Sequence, residues 1–423
     1  MFGLFSKKDF ANANWFIAEK MVALLVAIFI IPKIYTELGI TDIGKLNFSK
    51  SLVAMFSPVF FLGLSAISIR ELIFNPHKKH QILATAFYLR LLSSFSMILL
   101  LLGYVWLTKD SEISIIMILL GLGYFIKTTD VLEYYIHAKK NSKYIFFAKT
   151  TSLLLLLGMQ YYGIQQHYNV YYFAILIGLD FLIQGFIYAF ILFGSKQLVL
   201  KKWHFSKDTA IHLLQSSLPL ILSNFILFFY IGIDELFIKY YLGDAANGLF
   251  GTVQFLVITL TWNIGFAFIF ALYPALAEAF KTDKELYYKR IKSISIFVIY
   301  FGIAIGLFYT FFGEIVLAYF YDTTFLAAKT PLKIFSWAPL FVFLGVIYEK
   351  HLVNTNQLQK DVYRFVLGSV VNVVLCYFLI PLYHIVGAAI AVLISHIVSN
   401  LVYLFIDKES RLFVYRVIRT KLA

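Results

Sequence analysis

Long apolar runs separated by short polar breaks dominate this chain. A helix needs about 20 residues to cross a bilayer. Runs of that length predict helices near residues 13–34, 50–69, 83–107, 113–137, 144–163, 170–193, 211–240, 247–277, 291–312, 331–353, 362–382 and 386–406. These twelve segments fill most of the 423 residues and leave little for a separate soluble domain. The expected fold class is all-α, a polytopic membrane protein of about twelve transmembrane helices.

One predicted helix carries an unusual load. Residues 113–137, ISIIMILLGLGYFIKTTDVLEYYIH, have the length and apolarity of a span, yet hold Lys127, Asp130, Glu133 and His137 at spacings of three, three and four. On a continuous helix that spacing keeps the four side chains on one stripe. A charge at the bilayer centre costs about 2.5–3.5 kcal/mol when it faces lipid. The stripe is therefore expected to face other helices or a wet cavity.

Composition changes the picture only by adding orientation. The chain is 61% hydrophobic and 14% charged, with a mean hydropathy of +0.81, whereas soluble domains are about a quarter charged. The net charge of +13 raises the question of nucleic acid, but the basic residues sit in alternate breaks. RELIFNPHKKH (70–80), AKKNSK (138–143), GSKQLVLKKWHFSKD (194–208), KTDKELYYKRIK (281–292) and the tail from 407 to 423 hold them. TKDSE (108–112), GIQQHYN (163–169), GDAA (243–246) and YHIVG (383–387) contain a single Lys among them. The positive-inside rule places both termini in the cytoplasm and makes the charge a matter of topology, with no nucleic-acid partner.

Several classes of chemistry are disfavoured. The lone Cys376 forms no internal disulfide, and His212, His351 and His396 are scattered without metal-ligand spacing. No phosphate-binding glycine loop with a following Lys-Ser/Thr is present, so neither a cofactor nor ATP hydrolysis is expected. Lys7 and Lys8 precede the apolar run 15–31, which lacks a small-residue cleavage site and reads as a retained first helix.

The basic break at 194–210 divides the helices six and six. A repeat agrees with that division: Leu38-Gly39, Gly44 and Leu52-Val53 recur as Leu242-Gly243, Gly248 and Leu256-Val257 at one offset of 204 residues. The expected organisation is an N-terminal six-helix lobe (1–193), a basic cytoplasmic linker (194–210), a C-terminal six-helix lobe (211–406) and a basic cytoplasmic tail (407–423). The linker is expected to join the lobes and to lie on the membrane as an amphipathic segment.

Five stretches carry a family resemblance. NANWFIAEK (12–20), LGITDIGKLNF (38–48) and FLGLSAISIRE (61–71) resemble the polysaccharide repeat-unit (O-antigen or capsule) flippases of the multidrug/oligosaccharidyl-lipid/polysaccharide exporter superfamily. PLILSNFILFFYIGIDELFI with the following LGDAANGLFGTVQFL (219–256), and NVVLCYFLIPLYHIVGAAIAVLIS (372–395), are similar to the seventh and eighth and to the eleventh and twelfth helices of that family. The resemblance implies a V-shaped transporter of two six-helix lobes about a central cavity that opens alternately to each side of a bacterial cytoplasmic membrane. Its implied cargo is an undecaprenyl-diphosphate-linked oligosaccharide, with membrane lipids and the polysaccharide polymerase machinery as further partners.

An anionic diphosphate headgroup calls for cations and aromatic faces. Lys20, Arg90 and Lys149 lie about 10 Å inside their helices by the rise per residue, and Lys127 lies deeper. Together they are candidate diphosphate ligands. Against this, Lys20, Arg90 and Lys149 also suit snorkelling or local pairing, with Glu19 beside Lys20, and Lys127 also suits an ion pair with Asp130. Asp130, Glu133, Asp180 and Asp234 are candidates for ion coupling or gating. For Asp234 a structural pair with Lys239 stands beside that role. In the C-terminal half only Lys239 and Lys333 stand out as counterpart cations, so capture of the cargo is expected to fall to the N-terminal half. A multidrug/cation antiporter of the same superfamily is the alternative function. A membrane glycan polymerase or ligase is a further one, though the breaks assigned to the outer side are short.

Overall fold

The computed structural model describes residues 7–108, 110–355, 357 and 359–420, without the side chains of 7–14, 16, 17, 107, 108, 271 and 274. Among the described residues every regular element is a helix. Eight helices are long and apolar enough to cross a membrane, or nine with the bent pair Thr323–Phe335 and Ala338–Asn354, which turns by 45°. Two of the eight, Ala18–Phe74 and Gln359–Ile406, run across a residue with non-helical backbone. Lys7–Phe61 has 55 residues, about 80 Å at 1.5 Å per residue, against about 30 Å of hydrocarbon. Its backbone breaks at Gly39 (φ 71°, ψ 169°). The helix Gln359–Ile397 breaks in the same way at His384 (φ 55°, ψ −139°). Ser142–Gln165, less apolar but 24 residues long, adds another.

Divided at these breaks, the chain forms α1 (7–38), α2 (40–74), α3 (Lys79–Thr108), α4 (Ser111–Ala138), α5 (Ser142–Gln165), α6 (Val170–Gly194), α7 (Lys207–Leu242), α8 (Asp244–Thr282), α9 (Lys284–Phe320), α10 (323–354), α11 (359–383) and α12 (385–406). A short amphipathic helix, α13 (Lys408–Arg419), follows. The all-helical, multi-pass architecture expected from hydropathy is the one observed.

Two polar stretches assigned to loops are helical. LGITDIGKLNF breaks only at Gly39, and KTDKELYYKRIK only at Asp283, whose carboxylate caps α9 by accepting from the N–H groups of Glu285 and Leu286 at 2.9 and 3.1 Å. Hydropathy measures the membrane's thickness, whereas backbone hydrogen bonding continues past it into water. The tail contains α13 for the same reason.

The repeat seen in the sequence has a backbone counterpart. Gly39 (φ 71°, ψ 169°) and Gly243 (φ 82°, ψ −171°) adopt the same conformation, one that is almost confined to glycine, and each opens a helix. A Cβ at either position meets nothing within 4 Å, so conformation rather than crowding calls for glycine.

The described contacts divide the chain into two compact units, Met1–Phe228 and Phe229–Ala423, with the division inside α7. In the first unit a core of Leu64, Ile67, Leu83, Val131, Tyr135, Tyr188, Leu192 and Leu213 joins α2, α3, α4, α6 and α7. The segment between α6 and α7 is fastened to this unit. Lys79 donates to the Gln197 carbonyl (2.7 Å), the Val199 N–H to His80 (3.2 Å) and the Ser206 N–H to Thr85 (3.1 Å). Leu198 is buried and Trp203 packs on Phe87 and Phe193.

Candidate functional site

Residues 113–137 do not form the continuous α-helix that their spacing suggested. After Ile126 the chain tightens into a 3₁₀ turn, Lys127–Asp130, and then resumes as Val131–Ala138. Side chains three apart eclipse in a 3₁₀ turn, so Lys127 and Asp130 still share a face. Close helix packing then sets what that face meets. At Gly123 an added Cβ would lie 2.9 Å from the Gly178 Cα, and at Gly185 it would lie 2.3 Å from the Thr129 Oγ1. Small residues let α4 and α6 approach at backbone distance, as is usual between membrane helices. Phe181 is thereby pressed against Lys127.

The Lys127 Nζ lies 4.1 Å from the Phe181 ring centroid, 5.7 Å from Phe61 and 5.9 Å from Tyr124. Its distance to Asp130 is 4.0 Å, the outer limit of an ion pair. Three aromatic faces, not the carboxylate alone, surround this cation. Arg90 stands beside it, 1% exposed. Its Nη1 donates to the Tyr134 hydroxyl (2.8 Å) and its Nη2 to the Lys127 carbonyl (3.1 Å), and the guanidinium lies 4.8 Å from the Phe61 centroid. Among the described residues no carboxylate pairs with Arg90, and its Nε is buried without a hydrogen-bond partner.

Lys149 and Glu133 form a different kind of site. The Lys149 Nζ donates to Glu133 at 2.9 Å, His137 contacts the same oxygen at 3.2 Å, and the Tyr188 hydroxyl donates to the other at 3.4 Å. The charge of Lys149 is thus answered locally. Lys149, Glu133 and His137 line one cavity of about 460 Å³ with Arg90, Lys127 and Asp130, together with Ser57, Pro58, Phe61 and Gly63 of α2, Tyr134 of α4 and Asn224 and Phe228 of α7. At its wall α2 is interrupted by Leu62 and Gly63, both at positive φ (54° and 55°), and a Cβ on Gly63 would lie 3.3 Å from the Ser217 carbonyl and from Leu220.

The cavity therefore gathers Arg90, Lys127, Lys149, Asp130 and Glu133, and the three remaining candidates lie elsewhere. The Lys20 side chain is 58% exposed and pairs with Glu19 at 3.2 Å. Asp180 accepts from Ser152 and Gln184, both at 2.6 Å, in a smaller cavity of about 120 Å³ that shares Lys149 as a wall. Asp234 belongs to the second unit, 1% exposed: its Oδ2 accepts from Gln254 at 3.0 Å and its Oδ1 has no hydrogen-bond partner. Lys239 reaches Asp244.

Sequence reasoning passed over the cage residues Phe61, Tyr124 and Phe181. Tyr124 was signalled by its position three residues before Lys127, but Phe181 comes from another helix. It also passed over two cations of the second unit. Arg364, 1% exposed, donates to Asn400 and Asp361, both at 2.6 Å. Lys350 lies 4.4 Å from the Phe270 centroid and 2.7 Å from Glu349. Lys239 and Lys333 are thus not the only cations of that half to consider.

No family model matches the chain. It is 22% identical over 421 residues to the capsular polysaccharide biosynthesis protein CapF of Staphylococcus aureus, covering 94% of this chain and 99% of that one. Among solved structures, an inward-facing multidrug resistance MATE family transporter of the MOP superfamily superposes with a TM-score of 0.72 at 12% identity, over 95% of this chain and 96% of that one. A MOP superfamily transporter from Pyrococcus furiosus, for which reverse polarity of the binding pocket suggests a different function, gives 0.66 at 13% over 97% and 96%. An outward-facing MATE transporter gives 0.66 at 14% over 98% and 97%. The all-helical, multi-pass architecture expected of this chain is the one found, and its fold is that of these MOP superfamily transporters.

Proposed function

We propose that this protein is a flippase that carries an undecaprenyl-diphosphate-linked oligosaccharide repeat unit from the cytoplasmic to the outer leaflet of a bacterial cytoplasmic membrane. The observation that carries this reading is the presence of Arg90 and Lys127 together on one cavity, whose aromatic walls are Phe61, Tyr134 and Phe228. Two cations with few carboxylate partners suit a diphosphate, since Arg offers a planar fork and Lys a point charge to phosphate oxygens. Aromatic faces suit sugar rings. The similarity to a capsular polysaccharide biosynthesis protein supports a role in polysaccharide biosynthesis.

In this reading the chain works by alternating access of two six-helix lobes, 1–193 and 211–406, joined by 194–210, with both termini and the tail 407–423 in the cytoplasm. Arg90 and Lys127 take the diphosphate, Lys149 is held in reserve by Glu133, and Lys20 stands at the edge of the path. Asp130, Glu133 and Asp180 tune or release the cargo, and Asp234, a buried carboxylate of the second unit, serves ion coupling. Hydrophobic tails stay in lipid while the headgroup crosses, so membrane lipids and the polymerase machinery are the expected neighbours. The multidrug/cation antiporter remains the second reading, favoured by the MATE neighbours; a cavity walled by Arg90 and Lys127 disfavours a cationic drug.

The test is deletion of the gene with complementation by wild type or by Lys127→Ala. Loss of surface glycan with accumulation of lipid-linked repeat units at the inner leaflet is expected for both the deletion and the variant. Normal surface glycan in the deletion strain, together with raised sensitivity to cationic drugs, would replace the flippase reading by the antiporter one.

A further inference from the structure

The second unit contains a cavity that the transport reading does not use. It has a volume of about 530 Å³ and lies where the end of α8, the start of α9, the end of α10 and α13 converge, with Phe280, Lys284, Tyr288, His351, Phe413 and Arg416 on its walls. The sequence explains why these ends meet. Ser410, inside the first turn of α13, bonds the Tyr348 hydroxyl at 2.5 Å, and Lys292 of α9 donates to the carbonyls of Ile418 and Thr420, both at 2.8 Å, satisfying the far end of α13. Lys360 of α11 holds Asp407 and Glu409 at 2.7 and 2.5 Å. With α13 clamped at both ends, its middle turn forms the roof of the cavity.

The charge inside is unbalanced. Lys284 lies over the Phe280 ring, 2.9 Å from its centroid, and Arg416 donates to the Tyr288 hydroxyl at 3.2 Å. Among the described residues neither cation pairs with a carboxylate: Glu409, the acid on the rim, is taken by Lys360, and Glu285 by Lys289 at 2.8 Å. His351 turns its Nδ1 to the Tyr287 hydroxyl at 2.9 Å and serves as wall. Two unpaired cations among aromatic faces select an anion, and a cavity of this volume holds more than a bare ion.

The neighbouring surface says what kind of anion. Leu412, Tyr415 and Ile418 follow one another at three-residue spacing on α13 and are 45%, 49% and 66% exposed, and Leu412 also lines the cavity. Lys408, Arg411 and Arg419 flank this stripe. An apolar face edged with basic residues is the pattern of a helix lying in a membrane interface, and basic pockets at a membrane surface take anionic headgroups. We propose that the cavity under α13 binds the phosphate headgroup of an anionic phospholipid of the leaflet that α13 lies on, with the acyl chains against Leu412, Tyr415 and Ile418.

The experiment uses the full chain in nanodiscs of phosphatidylcholine with or without phosphatidylglycerol, and in detergent with inorganic phosphate. Wild type is expected to retain phosphatidylglycerol in native mass spectrometry and to melt higher when that lipid is present. The Lys284→Gln/Arg416→Gln double variant is expected to lose retention by roughly fivefold per charge removed, with an unchanged melting point in phosphatidylcholine alone. Equal retention by the double variant overturns the proposal. So does equal stabilisation by inorganic phosphate, which would make the site one for free phosphate. Should the double variant fail to fold, photoactivatable phosphatidylglycerol added to wild type decides: labelling of peptides bearing Lys284 and Arg416 supports the site, and labelling confined elsewhere overturns it.

Discussion

Arg90 in the first unit and Arg364 in the second are equally buried, 1% exposed each, yet they sit in opposite electrostatic settings. Arg364 is held by Asp361 and Asn400, both at 2.6 Å, and packs so tightly that a Cβ on Gly345 would lie 2.2 Å from its Nη1. Arg90 has a tyrosine hydroxyl, a carbonyl and an aromatic face, and it borders a cavity of about 460 Å³. Burial alone does not separate a structural cation from one kept for a ligand. The partner does: a carboxylate closes the account in one unit, and neutral dipoles leave charge unspent in the other.

This contrast is most sharply tested on transport. Lys127→Ala and Arg90→Ala are each expected to abolish surface glycan while membrane abundance stays near wild type, with Lys127→Arg retaining part of the activity; glycan measured by antibody against abundance by immunoblot checks this. Arg364→Ala is expected to do the reverse. Removing one partner of a buried ion pair costs about 3–5 kcal/mol, so folded protein should fall and activity per folded molecule should persist. If Arg364→Ala leaves thermal stability in detergent intact, the structural assignment of Arg364 is wrong.

A smaller effect is expected between α4 and α6. Gly178→Val forces a side chain onto the Gly123 backbone, where an added Cβ at Gly178 already lies 3.1 Å from the Gly123 Cα. Overpacking of this kind costs about 1–3 kcal/mol. Phe181 would move off Lys127, so stability and transport should decline together, as a melting curve and a glycan assay on the same variant would register.

The smallest effect concerns α13. Burial raises the Asp407 carboxyl, but hydrogen bonds from Lys360 and from the N–H and hydroxyl of Ser410 outweigh it and hold the group at about 2, below its ordinary 3.8. A depressed carboxylate stabilises the folded form above its unfolded value and ceases to do so as pH falls through the folded one. Docking of α13 should therefore weaken between about pH 4 and pH 2. Hydrogen exchange at residues 408–420 is expected to rise over that window in wild type, with Asp407→Asn already fast at neutral pH and insensitive to the same change.

Much of the architecture was legible in the chain. Apolar runs of membrane length mark the spans because lipid tolerates little else, and the positions of Gly39 and Gly243 mark a repeat whose shared backbone conformation only glycine adopts readily. The charged stripe of α4 likewise announced that Lys127, Asp130 and Glu133 face something other than lipid. Helix ends were read less well, since residues 40–49 and 284–290 are polar and helical at once, and hydropathy does not sense backbone hydrogen bonds.

What only the tertiary structure decided is which charges answer one another. Lys149 and Lys127 are both intramembrane lysines in the sequence, but α5 brings Lys149 to Glu133, whereas α6 brings a phenylalanine to Lys127. Glu133 and Lys149 are 16 residues apart and Lys127 and Phe181 are 54 apart, and no local periodicity encodes such pairings. They follow from how closely glycine-faced helices approach, a property of the packed bundle. The sequence by itself determined that charge would be buried in a membrane; the packing determined where that charge stays available.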